Sequence, residues 1–329
     1  MRITVIGAGA WGTALAITFS VRHQVTLWTR EAEVVRVMRE ERENKRFFPG
    51  FPLPDVLELE ADFGEAVGSA ELLIVATPLA GFRDSLRQLK ESGQVKPLLW
   101  VCKGLEAETA QLPHQVVAEV LGEGALYGVL TGPSFAEEVA RGMPTAVTLA
   151  ANDAGFAQST AIELHSPRLR IYANDDLPGA EIGGAVKNVM AIAAGICDGL
   201  GFGYNSRAAL ITRGLAEIAR LGVALGGRPE TFLGLAGMGD LVLTCTGDLS
   251  RNRQVGLALA SGRKLPQILA ELGHVAEGVS TAREVARLAD RLGIDMPITQ
   301  AVNAILHQDM PAAEAVTQLL SRDPKPEAL

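Results

Sequence analysis

The residues of this chain that could do chemistry fall in four places. Between Ile171 and Ser206 the only Lys or Arg is Lys187, set in the run PGAEIGGAVKNVMAIAAGICDGLGFGY from Pro178 to Tyr204. An ammonium among so many apolar residues is costly unless something charged or reactive faces it. A neutral lysine can accept a proton from an alcohol, and its ammonium can return one to a carbonyl oxygen. The free side chain titrates near 10.4, so burial or a neighbouring cation must lower that value first. Read alone, Lys187 is either such a base or a lysine reaching into solvent, and most lysines are solvated.

The second place is Gly7-Ala-Gly-Ala-Trp-Gly12, directly after the strand-like run Arg2–Ile6 and before a helix-like run from Thr13 to Ser20. In that context G-x-G-x-x-G has a mechanism. Gly7 makes the tight turn, Gly9 lets the backbone approach a pyrophosphate, and Gly12 permits close packing of helix on strand. The helix N-terminus offers unpaired N–H donors to the anion. The alternative is a structural glycine turn. The second strand, Gln24–Trp28, is followed by Thr29-Arg30-Glu31. Arginine there suits the 2′-phosphate of NADP, whereas an acid suits the 2′-hydroxyl of NAD. Arg30 favours NADP(H), and Glu31 keeps NAD(H) open.

The third place is Ser250-Arg251-Asn252-Arg253. Ser250 is a good N-cap for a helix closed by Gly262. Arg251 and Arg253 then sit in the first turn, against the helix dipole, unless an anion binds there. The segment reads as a phosphate site or as a pair of exposed arginines beside Asp248. The fourth place is Asp240, expected in a glycine-rich loop inside an otherwise apolar run from Leu235. It could orient Lys187 or a substrate hydroxyl, although a turn or capping aspartate is commoner.

These groups need a scaffold. Leu72–Ala76, Leu98–Cys102, Leu126–Leu130, Thr145–Ala150 and Leu169–Ala173 read as further strands, with crossover helices such as Ala80–Lys90 and Leu112–Leu121 between them. Alternating strands and helices predict an α/β Rossmann-type doubly wound, mostly parallel sheet, whose ligands lie beyond the carboxyl ends of the strands. Lys103 and Ser134 occupy such ends, and Lys103 is either a cation tuning Lys187 or a solvated lysine. Glu31–Asn44 reads as a charge-rich helix with a solvated face. After residue 178 only helices are expected, near 206–221, 264–272, 281–292, 298–307 and 312–321. Residues 1–177 therefore read as a nucleotide-binding domain and 178–329 as an all-helical domain.

Composition narrows the function classes. The chain has 329 residues, 48% hydrophobic, enough for two cores. A net charge of -8 argues against nucleic acid as a partner. Cys102, Cys197 and Cys245 form neither a metal-ligand pattern nor a disulfide framework, so no metal and a cytoplasmic location are expected. The uncharged run Ile3–Val21 could pass for a signal peptide or a span, but its glycines and β-branched opening favour strand, turn and helix. No membrane span is expected.

Together these features suggest hydride transfer on a small phosphorylated alcohol or ketone. The chain resembles, over nearly its whole length, the bacterial NAD(P)-dependent glycerol-3-phosphate dehydrogenases. The resemblance is carried by GAGAWGTALA at 7–16, CKGLE at 102–106, GPSFAEEVARGMPTAV at 132–147 and GAVKNVMAIAAGICDGLGFGYNSRAALITRG at 184–214. LAGMGDLVLTCTGDLSRNRQVG at 235–256 and VAEGVSTA at 275–282 complete it. The resemblance implies a helical domain of the 6-phosphogluconate-dehydrogenase type, and interconversion of sn-glycerol 3-phosphate and dihydroxyacetone phosphate for phospholipid synthesis by a homodimer. It makes Lys187 the proton acceptor, with Lys103, Gly132, Ser134, Asp240, Ser250, Arg251 and Asn252 on the substrate. It puts Ala10, Trp11, Arg30, Lys103, Ala136, Arg251, Val275 and Glu277 on the cofactor. The family often has serine where this chain has Ala10, which removes a hydroxyl but leaves the backbone N–H. The rivals are another β-hydroxyacid or 6-phosphogluconate-type dehydrogenase and, more remotely, a non-catalytic dinucleotide sensor.

Overall fold

In the computed structural model, which describes residues 1–122, 124–272 and 276–323, the chain divides into two compact units. One comprises Met1–Cys102 and His114–Leu177, the other Lys103–Pro113 and Pro178–Leu329.

The first unit opens with β1 (Arg2–Ile6), α1 (Ala10–Ser20), β2 (Gln24–Trp28), α2 (Ala32–Glu41), β3 (Glu43–Asn44), β4 (Phe48–Pro52) and β5 (Glu58–Glu60). It continues with α3 (Phe63–Gly68), β6 (Leu72–Val75), α4 (Phe82–Glu91), β7 (Leu98–Trp100), α5 (Pro113–Leu121) and β8 (Tyr127–Thr131). It ends with α6 (Ala136–Ala140), β9 (Thr145–Ala151), α7 (Ala154–Leu164) and β10 (Leu169–Asn174). Eight strands form one sheet in the order β10-β9-β8-β7-β6-β1-β2-β5. From β5 to β8 neighbouring strands pair in parallel. Strands buried on both faces read as unbroken apolar runs, as LLIV in β6 and LLW in β7 do. The strand order reverses between β1 and β6, and a doubly wound sheet binds its ligand at that switch point.

Three features depart from the sequence reading. β9 pairs antiparallel with β8, so β9 and β10 extend the sheet against its main direction. The helix expected over 31–44 stops at Glu41, because Arg42 turns left-handed (φ 48°) and leads into the hairpin β3–β4. Its solvated face is real, since Arg36 pairs with both Glu33 and Glu40. The short β5 also went unread, three residues being too few to show a period.

The second unit is helical: α8 (Leu177–Gly199), α9 (Gly203–Ala224), α10 (Pro229–Leu233), α11 (Asp240–Thr246), α12 (Arg251–Ala260), α13 (Leu265–Leu272), α14 (Glu277–Leu292), α15 (Pro297–His307) and α16 (Ala312–Leu320). A π-helical turn, Leu235–Gly239, precedes α11. Residues Leu105, Ala110 and Leu112 of the 103–113 segment join this unit's core. α8 is its axis. It is long and apolar enough to cross a membrane, but that apolar stretch is wholly buried among the other helices. Its small residues are what let it be covered. A side chain at Gly195 would strike the α12 backbone at Leu257 N (2.9 Å), and one at Gly256 would strike Ile196 N of α8 (2.8 Å). At Gly183 a Cβ would meet the carbonyl of Ala236 in the π-helical turn at 2.5 Å.

Candidate active site

The first unit holds a dinucleotide-binding turn. Gly7 has φ +115°, and a Cβ there would press on the Ala76–Thr77 backbone at 2.9 Å. That conformation is open essentially to glycine alone. A Cβ on Gly12 would meet the Gly7 carbonyl, so α1 is drawn against the loop, whereas a Cβ on Gly9 would meet nothing within 4 Å. The open side at Gly9 is where a pyrophosphate needs room. Helix α1 begins at Ala10 and Trp11, three residues earlier than its apolar pattern suggested, and Gly9 caps it without a side chain. Its first N–H groups are therefore available to an anion. These residues fit a dinucleotide. Buried Asn44 holds the loop, donating through Nδ2 to the Ala8 carbonyl (2.8 Å) and to Thr13 Oγ1 (2.9 Å). Nothing around Asn44 in the sequence signals this, because its charged neighbours predict the end of a solvated helix.

Arg30 is exposed after β2 and makes no hydrogen bond or ion pair among the described residues. Gly132 and Ser134 follow β8, and the Ser134 hydroxyl donates to the Gly132 carbonyl at 2.9 Å. Ala136 is the first residue of α6, a short helix without a side-chain cap.

The second unit gathers the charged groups. Asp240, 1% exposed at its side chain, accepts from Lys187 at Oδ1 and from Lys103 at Oδ2 (2.7 Å). Lys187 also donates to Thr244 Oγ1 at 2.9 Å, and Thr244 donates to the Asp240 carbonyl at 2.6 Å. One carboxylate thus fixes two ammonium groups, which leaves the cluster short of negative charge. Burial pushes Lys187 down to about 7, Lys103 adds to the effect, and Asp240 opposes it. Asp240 itself is held below the usual carboxylate range: burial works against this, but Lys103 and Lys187 outweigh it. Lys187 is therefore a buried side chain with an anchored amine, and the solvated reading fails.

Asp240 is not in a loop. It is the first residue of α11, and the preceding π-helical turn aims it inward; π-helical turns often mark functional sites. Thr244 lies one helical turn later, a spacing that sequence reasoning could have used only with Asp240 placed on a helix. Asn188, next to Lys187, was also missed. Its Oδ1 accepts from Asn252 Nδ2 (3.0 Å), and Asn252 Oδ1 accepts from Gly278 N (3.0 Å). The first turn of α12 is thereby tied to the turn of α8 that carries Lys187.

Around that turn the expectation divides. Ser250 is the N-cap, its Oγ accepting from Arg253 N at 3.3 Å. Arg251 is exposed and has no hydrogen bond or ion pair among the described residues. Arg253, expected to join Arg251 on an anion, instead binds Asp198 (2.7 Å) and Asp248 (2.9 Å). Glu277 heads α14, four residues before the start expected for that helix. Burial raises its pKa, while Lys103, whose backbone N–H donates to it, and Arg251 oppose the rise. Lys103, Lys187, Asp240, Asn252, Arg251 and Glu277 thus form one neighbourhood, and Val275 lies outside the described residues. The small residues of α8 serve helix packing at Gly183, and Ala191 is wholly buried.

Comparisons with known proteins identify the family. The profile of the NAD-dependent glycerol-3-phosphate dehydrogenase N-terminus matches residues 2–157, and that of its C-terminus matches residues 176–317. The chain is 66% identical to glycerol-3-phosphate dehydrogenase [NAD(P)+] of Dechloromonas aromatica, over 99% of each chain. It is 63% identical to the enzyme of that name from Aromatoleum aromaticum, covering 99% of this chain and 100% of the relative. The solved glycerol-3-phosphate dehydrogenase of Coxiella burnetii superposes with a TM-score of 0.93 at 42% identity, covering 98% of this chain and 99% of that one. The chain belongs to the NAD-dependent glycerol-3-phosphate dehydrogenase family.

Proposed function

We propose that this protein reversibly reduces dihydroxyacetone phosphate to sn-glycerol 3-phosphate, the starting alcohol of phospholipid synthesis, with NADP(H) or NAD(H). The observation that carries the reading is the bridging of buried Lys187 and of Lys103 by Asp240; burial lowers the Lys187 pKa. An amine balanced in this way gives and takes a proton at physiological pH.

When bound, NAD(P)H supplies the hydride. Lys187 as an ammonium gives its proton to the carbonyl oxygen as the alcohol forms; as an amine it takes the hydroxyl proton in the reverse direction. Asp240 and Thr244 hold the Lys187 amine in place, and burial, helped by Lys103, keeps it acidic. The phosphate is assigned to the start of α12, where the N–H groups beyond Ser250 and the Arg251 guanidinium supply donors. Asn252, whose amide is engaged by Asn188 and Gly278, contributes its backbone N–H and the position of the turn. Gly132, Ser134 and Ala136 are assigned to ligand contacts in the first unit, as are Gly7, Gly9, Ala10, Trp11, Gly12 and Arg30 to the dinucleotide. Glu277 and Lys103 are assigned to the cofactor in the second.

The protein is proposed to act in the cytoplasm, where its three free, buried cysteines stay reduced, and as a homodimer. Purified protein mixed with dihydroxyacetone phosphate should consume NADPH or NADH, read by absorbance. Absence of oxidation with both cofactors, or preference for hydroxy acids in a substrate panel, would overturn the assignment. Sedimentation at several concentrations tests the dimer.

A further inference from the structure

The position after β2 carries two side chains with opposite preferences, Arg30 and Glu31. An acid there accepts from the ribose 2′-hydroxyl and repels a 2′-phosphate, while an arginine receives that phosphate. The structure treats them differently. Arg30 is exposed and unpartnered among the described residues, whereas the Glu31 carboxylate is gripped by the guanidinium of Arg46. Arg46 comes from the turn between β3 and β4 and lies over the Phe47 ring, 4.8 Å from its centroid. That turn is held to the glycine loop by Asn44, which binds Ala8 and Thr13 and also accepts from Phe47 N at 3.2 Å. The hairpin therefore delivers Arg46 in fixed register with the residues that meet a dinucleotide.

We propose that Arg46 is a specificity-determining residue: by neutralising Glu31 it removes the acid that would select NAD(H), and leaves Arg30 free to favour NADP(H). This rests on reading the chain as an NAD(P)-dependent dehydrogenase. The pair is partly exposed, at 58% for Arg46 and 39% for Glu31, so it adds little to stability. Its effect falls on the local potential met by an arriving phosphate dianion.

The test uses the full-length protein and equilibrium binding. Adenosine 2′,5′-bisphosphate and AMP are titrated calorimetrically, and NADPH and NADH by nucleotide fluorescence. Arg46→Ala should weaken adenosine 2′,5′-bisphosphate and NADPH roughly tenfold while leaving AMP and NADH within about threefold, as expected when a like charge is unmasked. Adding Glu31→Gln to that variant should restore the binding of the 2′-phosphorylated ligands, and the melting temperature should stay near that of the parent. Equal weakening of all four nucleotides would overturn the proposal by making the hairpin merely structural. Failure of Glu31→Gln to restore binding would overturn it by showing that Arg46 does not act through Glu31. If the parent protein bound none of the four, the dehydrogenase reading itself would fall instead.

Discussion

At the scale of single residues, the decisive fact is that one carboxylate serves two lysines. Replacing Lys187 by alanine should lower kcat roughly 10²- to 10⁴-fold, the usual worth of a positioned acid or base, with the NADPH dissociation constant little changed. Steady-state kinetics beside a binding titration checks both. The lowered pKa sets the direction of the pH dependence. Above about 7 Lys187 is mostly neutral, so kcat/KM for alcohol oxidation should rise through that pH and level off. The ammonium needed for carbonyl reduction is lost over the same range, so that direction should fall. Profiles taken in both directions, with curves bending oppositely, are the measurement. Replacing Arg251 by alanine should raise KM for dihydroxyacetone phosphate about 10- to 100-fold, the loss of one charge-assisted contact. Lys187 and Arg251 stood out in the sequence, because an isolated lysine and a badly placed arginine are anomalies that ask for a partner, whereas Lys103 read equally well as a solvated lysine and Asp240 more readily as a turn or capping aspartate. Asn188, Thr244 and the tying-off of Arg253 were not legible, since each depends on which helix face meets which.

Elements explain why the cluster holds its shape. The glycines of α8 and α12 bring two backbones within side-chain contact, and the Asn188–Asn252 bond sits on that crossing. Gly256→Ala should force the helices apart, costing about 1–3 kcal/mol and raising KM as the first turn of α12 moves. A denaturation curve and a kinetic assay would separate the two effects. Glu217 of α9 plays a similar part for α15. Its buried carboxylate accepts from Ile298 N (2.6 Å) and from Thr299 N and Oγ1 (3.1 and 3.0 Å), capping that helix from another element. Glu217→Ala would leave these donors unpaired and should cost about 2–4 kcal/mol, with Glu217→Gln milder because one acceptor remains. Strand and helix periodicities foretold most elements of both units. They failed at Arg42, where a left-handed residue ended a helix whose charge pattern ran on, and at the π-helical turn before Asp240, where glycines resembled a loop.

For the whole molecule, the chain order and the compact units do not coincide. Lys103–Pro113 is embedded in the sequence of the first unit but supplies Lys103, Leu105, Ala110 and Leu112 to the second. A fragment of residues 178–329 alone should therefore be less stable than the same unit within the full chain, and addition of a 103–113 peptide should raise its melting temperature. A linear reading places the boundary at 177/178 and cannot see this exchange, because the segment has no periodicity of its own. The burial of α8 has a further consequence during synthesis. Leu177–Gly199 leaves the ribosome before α9, α12 and α14, which its own residues Met190, Gly195 and Asn188 respectively must meet. Until some 80 more residues have emerged, at about 5–20 per second, a helix as apolar as a membrane anchor has no cover. The nascent chain should accordingly be captured by chaperones or membranes over that interval, and a stall placed just after Gly199 should prolong it.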